Sequence, residues 1–302
     1  MNDSRVPLRL PVKLGAVRRF GMVIGLLAGA ALVANQPLSA IPQPPPAAAD
    51  QLQPAQAQAL VGRALATELR TAQDASHPMS YQLRKTSPRL TSTKAIVETR
   101  DGDVARLLSI DDRPLGPEDE QKEEARLDTL AADPSLQKHR KQSEDGDMNI
   151  VLKLLRMLPD AFLYQYAGTT QGAAGMVEKF TFKPNPKFDP PDYETQALTA
   201  LSGEIWVDPQ QERVTRLEGH LQQDTDYGWG ILGKLNKGGW VVIEQADVGG
   251  SQWRIVHVQM QMTMRILFKT RDINTNEQMN RYAPVATSMD YREGIQVLKK
   301  GG

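Results

Sequence analysis

Histidines and paired carboxylates are the residue types best suited to hold a metal or move a proton. The four histidines, His77, His139, His220 and His257, stand far apart in sequence and share no ligand spacing. His220 and His257 each fall in a run that reads as a strand, so the fold is able to bring them together, but a metal would also need carboxylates beside them. A hydrolase built on those two histidines and a nearby Asp is one alternative. Asp111-Asp112 has the form of a paired-carboxylate site and lacks a companion ligand at useful spacing. Gly228-Trp229-Gly230-Ile231-Leu232-Gly233 matches the dinucleotide fingerprint as a string. That chemistry needs a strand before it, a helix after it and a parallel βαβ unit. Here the flanks read as antiparallel strands, and Lys237-Gly238-Gly239 interrupts any helix. No G-x-S-x-G nucleophile motif occurs. The chain has no cysteine, which excludes thiolate chemistry, disulfides, Cys-based zinc sites and a lipid-modified N-terminal cysteine. The expectation is a protein without catalytic residues, metal or cofactor.

The chemistry that remains is apolar binding. From Val256 to Phe268 every even position is apolar, and from His257 to Arg265 every odd position is polar. This alternation predicts a strand from Arg254 to Phe268 with one dry and one wet face. At ~3.3 Å per residue it would span about 50 Å, so it implies a large, bent antiparallel sheet. Methionine adapts to irregular ligands, and Met260, Met262 and Met264 share the dry face. The residues expected to line a cavity are Val258, Met260, Met262, Met264 and Ile266. Leu152 and Leu155 would join them from a covering helix, where Met148 to Leu158 carries too wide an apolar arc for a surface helix. Ordinary core filling is the alternative for all of them.

Further elements must position these residues. Ala57, Leu60, Val61, Ala64, Leu65 and Leu69 recur at helical spacing, with Pro54 suited to the first turn. Tyr81–Lys85 is a short strand candidate, and Lys94–Arg100 and Asp103–Ile110 flank Asp101-Gly102, which suits a two-residue hairpin turn. From Asp111 to Asp147 twelve acidic residues face six basic ones on a helical pattern; Pro117 fits a helix start and Pro134 a restart. Asp147 is placed to cap the next helix and Pro159 to close it. Strands are predicted at Ala161–Ala167, Met176–Phe182, Gly203–Val207, Arg213–Leu221 and Gly239–Val248, a short helix at Tyr193–Leu201, and the end of the ordered fold near Asn280–Ala283.

At the N-terminus a basic stretch leads into the apolar run Phe20–Ala34, and small residues follow at Ser39 and Ala40. This reads as an export signal over residues 1–40, with an uncleaved inner-membrane anchor as the alternative. A Pro-rich linker covers 41–54. One domain is expected over 55–284, with a charged helical insertion at 112–158 and a tail at 285–302. The whole chain has equal numbers of basic and acidic residues. Without the basic leader the remainder carries a net charge of −4, which argues against nucleic-acid binding through a basic surface. The expected location is periplasmic or secreted, peripheral to a membrane.

The order helix, hairpin, helical insertion and further antiparallel strands resembles the LolA/LolB lipoprotein-carrier superfamily, which includes the MucB/RseB sensor domains. The likeness is carried by G-E-I-W-V-D-P-Q-Q-E-R-V-T-R-L-E-G from Gly203 to Gly219. The region Pro184–Phe268 also resembles a group of uncharacterised exported bacterial proteins. The superfamily likeness implies an α+β fold, an incomplete, strongly curved β-barrel packed on helices, and an apolar cavity for a lipid acyl chain or lipoprotein. None of the carriers' functional residues matches a position here, and the acidic insertion departs from them. Two functions are therefore expected as alternatives: a non-catalytic carrier or chaperone of apolar cargo, or an envelope signalling or assembly module that binds a partner protein through the acidic insertion.

Overall fold

A computed structural model describes residues 52–227, 233–266 and 269–301. The expected leader, the linker as far as Gln51 and residues 228–232 of the glycine string lie outside the described residues. Helix α1 (Pro54–Gln73) is followed by β1 (Met79–Thr86), β2 (Thr91–Val97), β3 (Val104–Ile110) and the short β4 (Arg113–Pro114). Helices α2 (Pro117–Ala132) and α3 (Pro134–Ala161) lead to β5 (Phe162–Gln171) and β6 (Met176–Pro184). A short α4 (Tyr193–Gln196) runs into a 3-10 turn at Ala197–Ala200, then β7 (Leu201–Asp208) and β8 (Arg213–Leu221). Next come β9 (Thr225–Tyr227), β10 (Gly233–Leu235), β11 (Trp240–Asp247), β12 (Trp253–Ile266), β13 (Lys269–Pro284) and α5 (Tyr291–Lys300).

Among the described residues the strands form one thirteen-stranded antiparallel sheet, ordered β4-β3-β2-β1-β13-β12-β11-β8-β7-β6-β5, with β10 and β9 paired beside β12. The ends of that order do not meet, so the sheet stays open. This is the α+β architecture expected from the sequence. The predicted long strand is β12, of fourteen residues, and its partner β13 is longer still at sixteen. The dry face of β12 slips by one residue, however. Trp253 and Ile255 are buried at its start, then Val258, Met260 and Met262. Glu244 of β11 pairs with His257 and Gln245 with Ile255, leaving Val256 as a bulge. The extra residue shifts the alternation and bends the strand.

The inner face of the sheet packs on α1 and α3. Ala57, Val61 and Ala64 of α1 are fully buried, and with Val151, Leu155 and Leu158 of α3 they join Ile205, Val241, Ile243 and Val258 in the main core. The outer face of β2–β3 carries a second, smaller core with Leu127 and Leu130 of α2 and Tyr291, Ile295 and Leu298 of α5. The residues beyond Pro284, expected as a tail, thus form a helix with a packing role. It lies close to the sheet: a Cβ on Gly294 would stand 2.8 Å from Val104 Cγ2.

Three further expectations change. β2 and β3 are joined by Glu98–Asp103, longer than a two-residue turn, with Gly102 N–H donating to Thr99 C=O and Gly102 at φ +91°. Asp147 does not cap a helix, because α3 runs unbroken through it. Pro159 does not close α3, which continues to Ala161. The proline forfeits the one helical bond its missing N–H would make to Leu155 C=O, and its own carbonyl, left without a helical donor at the C-terminal end, accepts a hydrogen bond from Gln58 Nε2 (2.7 Å).

An open sheet leaves backbone groups unpaired at both edges. At β5, Gln58 of α1 acts as a missing strand would: its Nε2 donates to Phe162 C=O (3.2 Å) and its Oε1 accepts from Tyr164 N–H (3.2 Å). At β3, Leu107 N–H donates to Glu123 Oε1 (2.7 Å), and Arg126 donates to Ala105 C=O (2.6 Å). The loop before β3 is held the same way, with Gln137 donating to Asp101 C=O (3.0 Å).

The strongest tie between α1 and the sheet is ionic. Arg213 donates from Nε and Nη2 to the two oxygens of Glu68 (2.9 Å each), and Val214 N–H donates to Glu68 Oε1 (2.9 Å). Both side chains are buried, and the Arg213 guanidinium lies over the Trp253 ring at 5.4 Å. Removing one partner of such a pair strands a buried charge. Glu68→Ala is expected to lower unfolding free energy by about 3–5 kcal/mol, whereas Glu68→Leu with Arg213→Met should recover most of the loss. Urea unfolding of the three proteins checks this.

Candidate binding site on the inner face of the sheet

Strand register decides which side chains share the inner face, because residues directly opposite in an antiparallel pair point the same way. Val258, Met260, Met262 and Met264 of β12 stand opposite Glu277, Thr275, Ile273 and Arg271 of β13. One row further, Met279 of β13 faces Leu83 of β1, Leu83 faces Lys94 of β2, and Lys94 faces Leu107 of β3. The inner face is therefore apolar from β7 across to β12, mixed on β13, where Glu277, Thr275 and Arg271 share it with Met279 and Ile273, and cationic at β1–β2 with Lys85 and Lys94.

Its filling is uneven. Under α1, Ile205, Val241 and Val258 are fully buried. Toward β13 and β1, Met264, Ile273, Met279 and Leu83 are only half-buried, as are Leu154 and Met157 of α3. Of the residues expected to line a cavity, Val258, Met260, Met262 and Leu155 are buried in the main core and Met264 packs at its margin. Leu152 is half-buried on the flank of the α3 arc. The Ile266 side chain lies outside the described residues. A small cavity of about 20 Å³ sits between α1, α3 and the sheet, bordered by Leu65, Leu155, Leu158, Ile205, Val214 and Ile243. That is room for about one water. It touches Leu155 and none of the β12 methionines.

Two charges lie on the inner face among these apolar side chains. Glu277 is buried and accepts from Lys85 Nζ (2.5 Å). Lys94 is half-buried and makes no ion pair among the described residues. Burial pushes its ammonium down to about 8, and the neighbouring Arg126, Arg140 and Lys85 charges add to this against the attraction of Glu123. Glu123 is already engaged: Arg126 donates to both its oxygens and Leu107 N–H to one. Sequence reasoning did not single out Lys94, because its face is defined only by the pairing of β1 with β2 and β13.

The residues with catalytic types go elsewhere. His257 and His220 lie on the outer face, in a chain of polar contacts. His257 Nδ1 meets Glu244 Oε2 (2.9 Å) and His257 Nε2 meets Asn276 Oδ1 (3.1 Å). Arg216 pairs with Glu244 and with Glu218 (2.7 Å), and Glu218 meets His220 Nε2 (2.9 Å). By register, His220 pairs with Trp240 and His257 with Glu244. Four residues along β11 and two strands across put the histidines roughly 16 Å apart. Asp111 and Asp112 form the left-handed turn between β3 and β4 (φ 49° and 59°), where Asp112 holds Arg84 by two bonds (2.8 and 2.7 Å). His77 and His139 are exposed. Among the described residues no group of three or more His, Asp or Glu gathers to hold a metal.

Lys94 has a stability consequence of definite sign. Its folded value lies below that of an unfolded lysine, so the unfolded chain binds the proton more tightly. The penalty is complete below pH 8 and fades as pH rises toward 10.5. Lys94→Met is expected to stabilise the fold at pH 7 by on the order of 2–3 kcal/mol. The advantage over the unsubstituted protein should vanish near pH 10.5. Thermal melts of both proteins across this range test it.

No family model matches the chain, and no curated protein does. Among solved structures the chain is similar to an outer membrane lipoprotein-sorting protein domain from Vibrio parahaemolyticus, at 11% identity and a TM-score of 0.28, over 79% of this chain and 98% of that one. It is also similar to a DUF1329 family protein from Desulfovibrio piger ATCC 29098, at 10% identity and a TM-score of 0.27, over 78% of this chain and 97% of that one. Likenesses of this degree carry no ligand or activity to this chain.

Proposed function

We propose that the protein is a non-catalytic carrier of an apolar cargo, a lipid acyl chain or the acyl part of a lipoprotein. The observation that carries this reading is the uneven filling of the inner face. Past the dry core the apolar side chains Met264, Ile273, Met279 and Leu83 remain half-buried, interleaved on β13 with Thr275 and Glu277, and α3 brings Leu154 and Met157 toward the same core. Unbranched methionines suit a wall that must pack equally well with and without a guest. Each buried CH₂ of cargo contributes roughly 0.8 kcal/mol. The 20 Å³ cavity under α1 is too small for an acyl chain, so cargo belongs at the half-buried end of the inner face, away from the Glu68–Arg213 tie.

The leader read from the sequence fits this role by putting the body outside the cytoplasm, and no helix among the described residues is long and apolar enough to cross a membrane. The second reading, partner docking through the acidic insertion, has less support. Much of the insertion's polarity serves the chain itself: Glu123, Arg126 and Gln137 answer backbone groups at β3, and Lys299 of α5 binds Asp128 (2.6 Å). Deleting Glu118–Lys141 would strip a sheet edge as well as a partner surface.

Native mass spectrometry of protein purified from a membrane-containing host is expected to show co-purifying lipid. Met264→Gln with Ile273→Gln, both at the margin of the core, should abolish that lipid while far-UV circular dichroism stays unchanged. No lipid on the unsubstituted protein, together with no binding of a fatty-acid probe, would overturn the carrier reading.

A further inference from the structure

Lys94 stands where the apolar inner face ends. Met279, Leu83, Lys94 and Leu107 form one row across β13, β1, β2 and β3, all four half-buried and all on the inner face. The next row holds Glu277 and Lys85; Lys85 Nζ donates to Glu277 Oε1 (2.5 Å), and Glu277 Oε2 is buried without a hydrogen-bond partner among the described residues. Arg126 is neutralised by Glu123 through two short bonds (2.7 and 2.6 Å). Arg140 leans on the Asp103 carbonyl (3.4 Å). Lys94 is the one of these cations with no carboxylate or carbonyl partner among the described residues. A half-buried ammonium with no counter-charge is unfavourable, and an anion placed beside it would be held by a charge-assisted hydrogen bond in a poorly solvated setting.

We infer that the groove takes a single-chain amphiphile with an anionic head, the chain lying along Leu83, Met279, Ile273 and Met264 and the head meeting the Lys94 ammonium. The geometry fits because the lysine is on the same face as the apolar lining and adjoins it directly in register. Charge complementarity selects the occupant: a neutral head would leave the Lys94 ammonium unanswered, and a cationic head would be repelled by it. The inference rests on the carrier reading and adds the chemistry of the head group to it.

The test uses the full chain, palmitate and hexadecanol, which share a sixteen-carbon tail and differ in head charge. Binding is read by competition against a fluorescent fatty-alcohol probe at pH 7. The unsubstituted protein is expected to prefer palmitate by about tenfold or more. Lys94→Met should lose that preference while keeping its affinity for hexadecanol, and Lys94→Arg should retain it. The melt of Lys94→Met reports independently that the variant is folded. Equal affinity for the two amphiphiles, or a palmitate preference that survives Lys94→Met, overturns the head-group site and leaves the carrier reading standing. Failure of both amphiphiles to bind overturns the two together. Inorganic phosphate competing as well as palmitate would show a simple anion site unconnected to the groove, and would also overturn the inference.

Discussion

A sheet that does not close must answer the backbone groups along its two edges, and here helices do so. Gln58 stands in for a strand beside β5, and Glu123 and Arg126 do the same beside β3. An orphaned N–H or C=O out of reach of water costs on the order of 1–3 kcal/mol, so these few side chains decide where the helices lie. α1 is fixed at the β5 edge. α2 and the start of α3 are fixed at the β3 edge, and α3 runs from there to the start of β5. The inner face is covered because the edges are capped.

That arrangement also explains why the interior has two characters. Near β7, β8 and β11, α1 presents small residues, Ala57, Val61 and Ala64, and packs to full burial, with the Glu68–Arg213 pair fixing it in place. The buried positions of α3, Val151, Leu155 and Leu158, join the main core. The other large residues of α3, Leu152, Leu154 and Met157, end half-buried. The margin mixes unbranched Met264 and Met279 with branched Ile273 and Leu83, and Lys94 stands beside them with no ion-pair partner among the described residues. Proteins commonly give up stability at sites that must receive something else, and Lys94 is a position where the loss has a clear physical origin.

Much of this fold is legible in the sequence, since period-two alternation and proline placement are local signals. Pro117 and Pro134 begin α2 and α3 as read, and the strands on either side of Asp208–Gln211 fall where alternation puts them. The misreadings are instructive because each involves a competing local signal overridden by tertiary contact. Val256 looks like a member of the dry face and is a bulge, because its register is set by β11. Asp147 and Pro159 look like helix punctuation, yet α3 runs through both; Asp147 is half-buried, and burial holds its carboxyl above the usual carboxylate range. The segment Tyr291–Lys300 has a strong helix start, with Asp290 accepting from Glu293 N–H (2.9 Å), but its apolar face was not read against the β2–β3 hairpin. The candidate site divides along the same line. The β12 methionines are visible as a stripe, whereas Lys94, Leu83 and Met279 become neighbours only through non-local pairing.

The charge of the insertion has a structural use within the chain. Twelve acidic residues against six basic ones suggest a surface waiting for a partner. In place, Glu118, Asp119 and Glu120 occupy the first turn of α2, where negative charge is favourable at a helix N-terminus. Arg106, buried under α2 and α5, is met by Glu124 (3.0 Å) and Glu120 and donates to the Leu298 carbonyl (3.0 Å). Lys299 closes on Glu124 and Asp128. These pairs bind α2, α5 and the hairpin into one unit whose outer surface is acidic and whose inner side carries Lys94. The insertion thus blocks a sheet edge, fastens the outer helix and stands beside the cationic end of the inner face, and much of its charge is therefore answered within the chain.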